Sequence, residues 1–148
     1  NVMALNNYAY YLSEKGVDLH KAESMSYKTI KAEPNNGTYL DTYAWILFME
    51  ERYADAKTYI DQALKNRDST VDNSTVLEHA GDIYYMNGMT DESVDFWKKA
   101  YTGENQTEVL AWKIKNRQYI TEEELKKRNA PKQKPAATKK SVRKGKKK

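Results

Sequence analysis

Apolar side chains recur along the first hundred residues at offsets 0, 3, 4 and 7, and they do so in three separate blocks. Leu5, Tyr8, Ala9 and Leu12 form the first, Leu40, Tyr43, Ala44 and Leu47 the second, and Leu77, Ala80, Gly81 and Tyr84 the third. That spacing is the stripe of an amphipathic helix. Each block is followed by another segment at helical spacing with a small residue near its start. Ala22 leads to Tyr27 and Ile30, Ala56 to Tyr59, Ile60, Ala63 and Leu64, and Ser93 to Phe96, Trp97, Ala100 and Tyr101. The pattern predicts three helical hairpins. Breakers stand where such hairpins need joints: Gly16 and Gly88 inside hairpins, Pro34-Asn-Asn-Gly37 and Asp72-Asn73-Ser74 between them. Small residues at Ala9, Ala22, Ala44, Ala56, Gly81 and Ser93 let paired helices approach to about 8 Å.

Beyond Gly103 the pattern weakens. Val109, Leu110, Trp112 and Ile114 suit one more helix covering the open end of the stack, since a terminal repeat otherwise exposes an apolar face. Thr121-Glu-Glu-Glu124 reads as a capping box opening a short helix that carries Leu125. From Lys126 to Lys148 only Val142 is a larger aliphatic residue, and such a stretch buries too little to fold. The expected fold class is therefore all-α: a solenoid of three helix-turn-helix repeats at about 3–36, 37–70 and 74–103, and a capping helix at about 106–117. These make up a repeat domain over 1–120, and a short helix and a disordered basic tail fill 121–148.

Charge divides the chain at the same place. All 21 acidic residues lie at or before Glu124, against 13 lysines and arginines, so the body carries −8 and the last 24 residues +12. The chain has no cysteine, which excludes disulfides and thiolate chemistry. No apolar run approaches the roughly 18 residues that span a bilayer, and no signal peptide precedes the helices, so the segment reads as soluble. Opening at Asn1 with a helix under way, the sequence reads as the C-terminal portion of a longer chain, with any targeting information further upstream.

The blocks resemble the tetratricopeptide repeat family, whose unit of about 34 residues has the pattern W-x2-L-G-x2-Y, A-x3-F, P. The third block carries it most fully in Leu77, Ala80, Gly81, Tyr84, Ser93 and Trp97. The second has Ala44, Tyr53, Ala56, Ala63 and Leu64, with Asp68 in place of the closing proline. The first has Ala9, Ala22 and Pro34, with one extra residue in its Gly16-Val-Asp-Leu19 turn. Asn6-Asn-Tyr-Ala-Tyr-Tyr-Leu12 and Lys113-Ile-Lys-Asn-Arg-Gln-Tyr-Ile120 are similar to bacterial members. The resemblance implies a right-handed superhelix whose first helices line a concave groove that grips peptides.

Carried over, the groove positions are Met3, Asn6 and Tyr10, then Asp41, Trp45, Phe48 and Met49, then Glu78, Asp82, Tyr85 and Met86. They lie off the packing stripe. A branch of the family clamps a C-terminal carboxylate with Lys and Asn, but Tyr10, Asp41, Glu78 and Asp82 do not suit that chemistry. Aromatic anchors edged by acids point instead to an apolar or basic peptide.

The leading expectation is thus a scaffold that binds another protein or peptide, of unknown oligomeric state. A second is binding of nucleic acid or another polyanion by the tail, through Lys139, Lys140, Arg143, Lys144, Lys146, Lys147 and Lys148. The tail is also readable as a solubilising end, and Lys134-Pro-Ala-Ala-Thr-Lys-Lys140 resembles a bipartite nuclear import signal. Neither His20 nor His79 belongs to a metal-like pattern, and no strained nucleophile or glycine-rich phosphate loop is present. No catalytic residue, metal or cofactor is expected.

Overall fold

The computed structural model describes residues 1–131, and Lys139 to Lys148 of the basic tail lie outside the described residues. Eight α-helices follow in order: α1 (Val2–Lys15), α2 (Leu19–Ala32), α3 (Gly37–Met49), α4 (Tyr53–Lys65), α5 (Ser74–Met86), α6 (Thr90–Ala100), α7 (Glu108–Asn116) and α8 (Glu122–Asn129), with a 3-10 turn at Gly103–Asn105. Among the described residues there is no strand, and no helix is long and apolar enough to cross a membrane.

Local chemistry sets the helix starts. The Asn1 side chain accepts the Ala4 N–H at 2.8 Å, Asn36 that of Tyr39 at 3.1 Å and Thr107 that of Leu110 at 3.2 Å. At α8 the capping box is complete, with Thr121 and Glu124 each accepting the other's backbone N–H. The hairpin turns share one backbone device. Gly16, Glu51 and Gly88 stand eleven residues after Leu5, Leu40 and Leu77, and all are left-handed, at φ of 68°, 62° and 80°. Two of the three are glycines. The extra residue of the first turn is absorbed at Val17-Asp18, where Asp18 is also left-handed at φ 48°.

From α1 to α7 each helix packs on the next, and the first helices also touch one another, α1 with α3 and α3 with α5. That is a stack of hairpins curving toward its first helices. The small residues occupy the crossings: Ala9, Ala22, Ala44, Ala56 and Ser93 have no exposed surface. Gly81 is the tightest case, because a Cβ there would stand 2.3 Å from Trp97 Cδ1. The middle hairpin is covered on both sides, so every α3 residue from Tyr39 to Phe48 is buried. Full burial of Leu40, Ile46 and Leu47 stabilises the fold by about 1.5–3 kcal/mol each before chain entropy is counted. At the far end Leu110 of α7 closes over Val94, Trp97 and Ala100 of α6, and Ile120 and Leu125 are also buried.

Candidate functional site

The concave side is built from α1, α3 and α5, and it divides into a closed half and an open half. In the closed half Trp45 is a buried hub. Its ring stacks on Phe48 at 4.7 Å and on His79 at 4.0 Å, and its Nε1–H donates to Glu14 Oε2 at 3.1 Å. His79 Nδ1 is 2.8 Å from Asp41 Oδ1. Burial alone would pull the imidazole's pKa down, but the facing Asp41 carboxylate, with Asp82 and Glu14 nearby, lifts it on balance. Tyr119, from the segment after α7, meets Phe48 edge-on at 5.6 Å.

Lys113 of α7 fills the rest. Its side chain is 3% exposed, and its ammonium donates to Glu78 Oε2 at 2.9 Å and Asp82 Oδ1 at 2.7 Å. Asp82 Oδ1 also accepts the Trp97 indole N–H at 2.9 Å, and Glu78 Oε1 accepts from Asn105 at 3.2 Å. Desolvation opposes the charge on Lys113, but the two carboxylates outweigh it and raise its pKa. A buried charge needs such pairing to persist. Asp41, Glu78 and Asp82, read from the sequence as charges facing a partner, therefore have partners inside the fold in His79 and Lys113.

The open half lies at the N-terminal ends of α3 and α5 and beside the middle of α1, as a cleft of about 560 Å³. Asn6, Asn7 and Tyr10 of α1 form one wall, the start of α3 from Asn36 to Thr42 another, and the α4–α5 loop with Thr75 and Val76 a third. The loop is held by its own side chains: Asp72 accepts the Ser74 N–H at 2.9 Å, and the Asn73 amide donates to Asp68 O and Val71 O, both at 3.0 Å. Asn6 is 3% exposed, and its Oδ1 has no hydrogen-bond partner. An unpaired buried acceptor costs about 1–3 kcal/mol, which marks this wall as a locally unfavourable part of the fold.

Of the residues the sequence pointed to, the structure places Asn6, Tyr10 and Asp41 on this cleft. Trp45, Phe48 and Asp82 are buried in the closed half, Met49, Glu78 and Tyr85 are half-buried, and Met86 is exposed at the turn end of α5. Sequence reasoning missed Lys113, Tyr119 and the Asn66–Asn73 loop. The first had a signal, because Lys113 stands three residues after Leu110 and one before Ile114, on the apolar stripe of α7.

No protein-family model matches the chain. A TPR repeat-containing protein of Pseudomonas aeruginosa is 34% identical to it over 65 residues, which is 44% of this chain and 11% of that protein. The chain thus spans only a small part of the length of that relative. Two solved structures share the architecture at 19% identity. The N-terminal domain of stress-induced protein-1 (STI-1) from C. elegans superposes with a TM-score of 0.59, covering 78% of this chain and 93% of that one. The TPR2AB-domain:pHSP90 complex of yeast Sti1 does so with a TM-score of 0.61, covering 86% and 48%. Repeat spacing, left-handed turns, small-residue crossings and these likenesses agree, and the chain is in fold an array of tetratricopeptide repeats.

Proposed function

We propose that the chain is a protein-interaction scaffold that docks an extended peptide segment in the cleft between α1, α3 and the α4–α5 loop. The observation that carries this reading is an open cleft of about 560 Å³ walled by Asn6, Asn7, Asn36, Asn66 and Asn73, whose side-chain amides can both donate and accept. That volume falls within the roughly 300–1,000 Å³ of small-ligand sites. A peptide offers what the walls lack. Its N–H and C=O groups are matched by the donors and acceptors of the asparagine amides along the walls. The similar domain of yeast Sti1 was solved as a complex with pHSP90, which supports peptide docking as the kind of work this fold does.

The finer reading shifts affinity away from Trp45 and Phe48. Both are already stacked and enclosed, so their rings have little surface left to give a ligand. Affinity then comes from main-chain hydrogen bonding and from Tyr10, half-buried at the wall.

A peptide library displayed on phage and selected on the full chain tests this. Selected peptides should bind the chain ending at residue 131 as well as the intact one, and should lose affinity by about tenfold or more when Thr75, exposed on the cleft wall, is replaced by Trp. Peptides that bind Thr75→Trp unchanged would remove the cleft from the account. Peptides lost on truncation would move the contact to the basic tail.

A further inference from the structure

We propose that His20, Glu23 and Glu50 form a binding site for a divalent first-row metal ion of the zinc type, at the end of the helices opposite the cleft. One donor atom from each of the three residues lies within 4.8 Å of the others. The fold brings them together from two hairpins. His20 and Glu23 stand three residues apart on one face at the start of α2, and Glu50 is the residue that ends α3, just before the left-handed Glu51. His20 is exposed, and the two glutamates are half-buried.

The carboxylates are held in place before any ion arrives. Tyr43 donates to Glu23 Oε2 at 3.2 Å, and one nitrogen of Arg52 donates to the same oxygen at 3.0 Å and to Glu50 Oε1 at 3.4 Å. The other Arg52 nitrogen is bound to Asp55 at 3.2 Å. This outer ring fixes one oxygen of Glu23 and leaves the other for a ligand role, as carboxylates at metal sites are commonly fixed. The guanidinium supplies one positive charge against Glu23, Glu50 and Asp55, so the cluster stays electron-rich.

The donor set selects the ion. One imidazole nitrogen with two carboxylates suits zinc and its neighbours, whereas magnesium and calcium favour oxygen alone. Zinc–ligand bonds of about 2.0–2.2 Å place donors about 3–4 Å apart, so the three side chains close slightly on the ion. The remaining positions face solvent and would be filled by water. Such an ion ties the first hairpin to the turn of the second, about 12 Å along α3 from the nearest cleft residue, Thr42.

Titration of the full chain with zinc chloride, followed by calorimetry and by the ring-proton resonances of His20, tests the site. Expected are one bound equivalent, a shifted His20 resonance with His79 unmoved, a raised Tm, and affinity reduced about tenfold or more in both His20→Ala and Glu50→Gln. His20 makes no hydrogen bond with the protein that its loss would break, so that variant folds. Magnesium chloride should give none of these effects. Absence of heat up to millimolar zinc, or equal affinity in His20→Ala, would overturn the proposal.

Discussion

The left-handed turn residues permit a reciprocal substitution test with a sign fixed in advance. Glu51 occupies at φ 62° the position that Gly16 and Gly88 occupy at 68° and 80°. A left-handed conformation costs a residue with a Cβ about 1–2 kcal/mol. Replacing Glu51 by Gly removes that cost but frees the unfolded chain, which returns about 0.4–1 kcal/mol to the unfolded state. The net expectation is a gain near 0.5–1 kcal/mol, a rise in Tm of about 2–4 °C for a chain of this size. Gly88→Ala runs the other way. A Cβ at Gly88 would meet nothing within 4 Å, so the change is free of clashes and isolates the backbone term. It should lower stability by about 1 kcal/mol. Both variants are read by urea denaturation followed by far-ultraviolet circular dichroism, with the m-value checked for constancy. Loss of stability in Glu51→Gly, or none in Gly88→Ala, would show that the three turns are not equivalent and would undo the repeat assignment at its joints.

Other substitutions probe the closed half of the concave side. Lys113→Met should cost about 3–5 kcal/mol in chemical denaturation, because it strands Asp82 without its cation, and Asp82→Asn in the same chain should recover part of the loss; a cost under about 1 kcal/mol would contradict the buried pairing. Gly81→Ala should cost about 1–3 kcal/mol by forcing Trp97 aside, and a neutral outcome would mean that α5 and α6 stand further apart than described. The His79 pKa is raised in the fold, so its contribution to stability is complete below its unfolded pKa of about 6.5 and fades as pH rises through the folded value. Tm should therefore fall across that window and flatten in His79→Gln, whereas a Tm that climbs with pH in the unmodified chain would refute the sign.

The architecture was legible because its determinants are local. Stripes at helical spacing, small residues at crossings and glycines at turns each act over a few residues, and a single sequence displays them. What a single sequence hides is which off-stripe residues end up between neighbours. Trp45 and Phe48 lie off the stripe that packs their own hairpin, which suggested exposure. The middle helix, however, is enclosed by α1 and α5 as well as by α4, so its other face is interior too. The acids tell the same story. Asp41, Glu78 and Asp82 looked like solvent-facing charges, yet their partners sit 38, 35 and 31 residues away, at distances in sequence that no periodicity encodes. The cleft was half legible: Asn6, Tyr10 and Asp41 came from groove positions on the helices, while the Asn66–Asn73 loop that closes the cleft has no periodic signature.

Assignment of function rests on where a ligand sits, and amide resonances report that directly. With a selected peptide titrated into the isotopically labelled chain, the account predicts the largest shifts at Asn6, Asn7, Thr38, Thr42 and Thr75. Shifts confined to the basic tail, or to the second helices α2, α4 and α6, would contradict it.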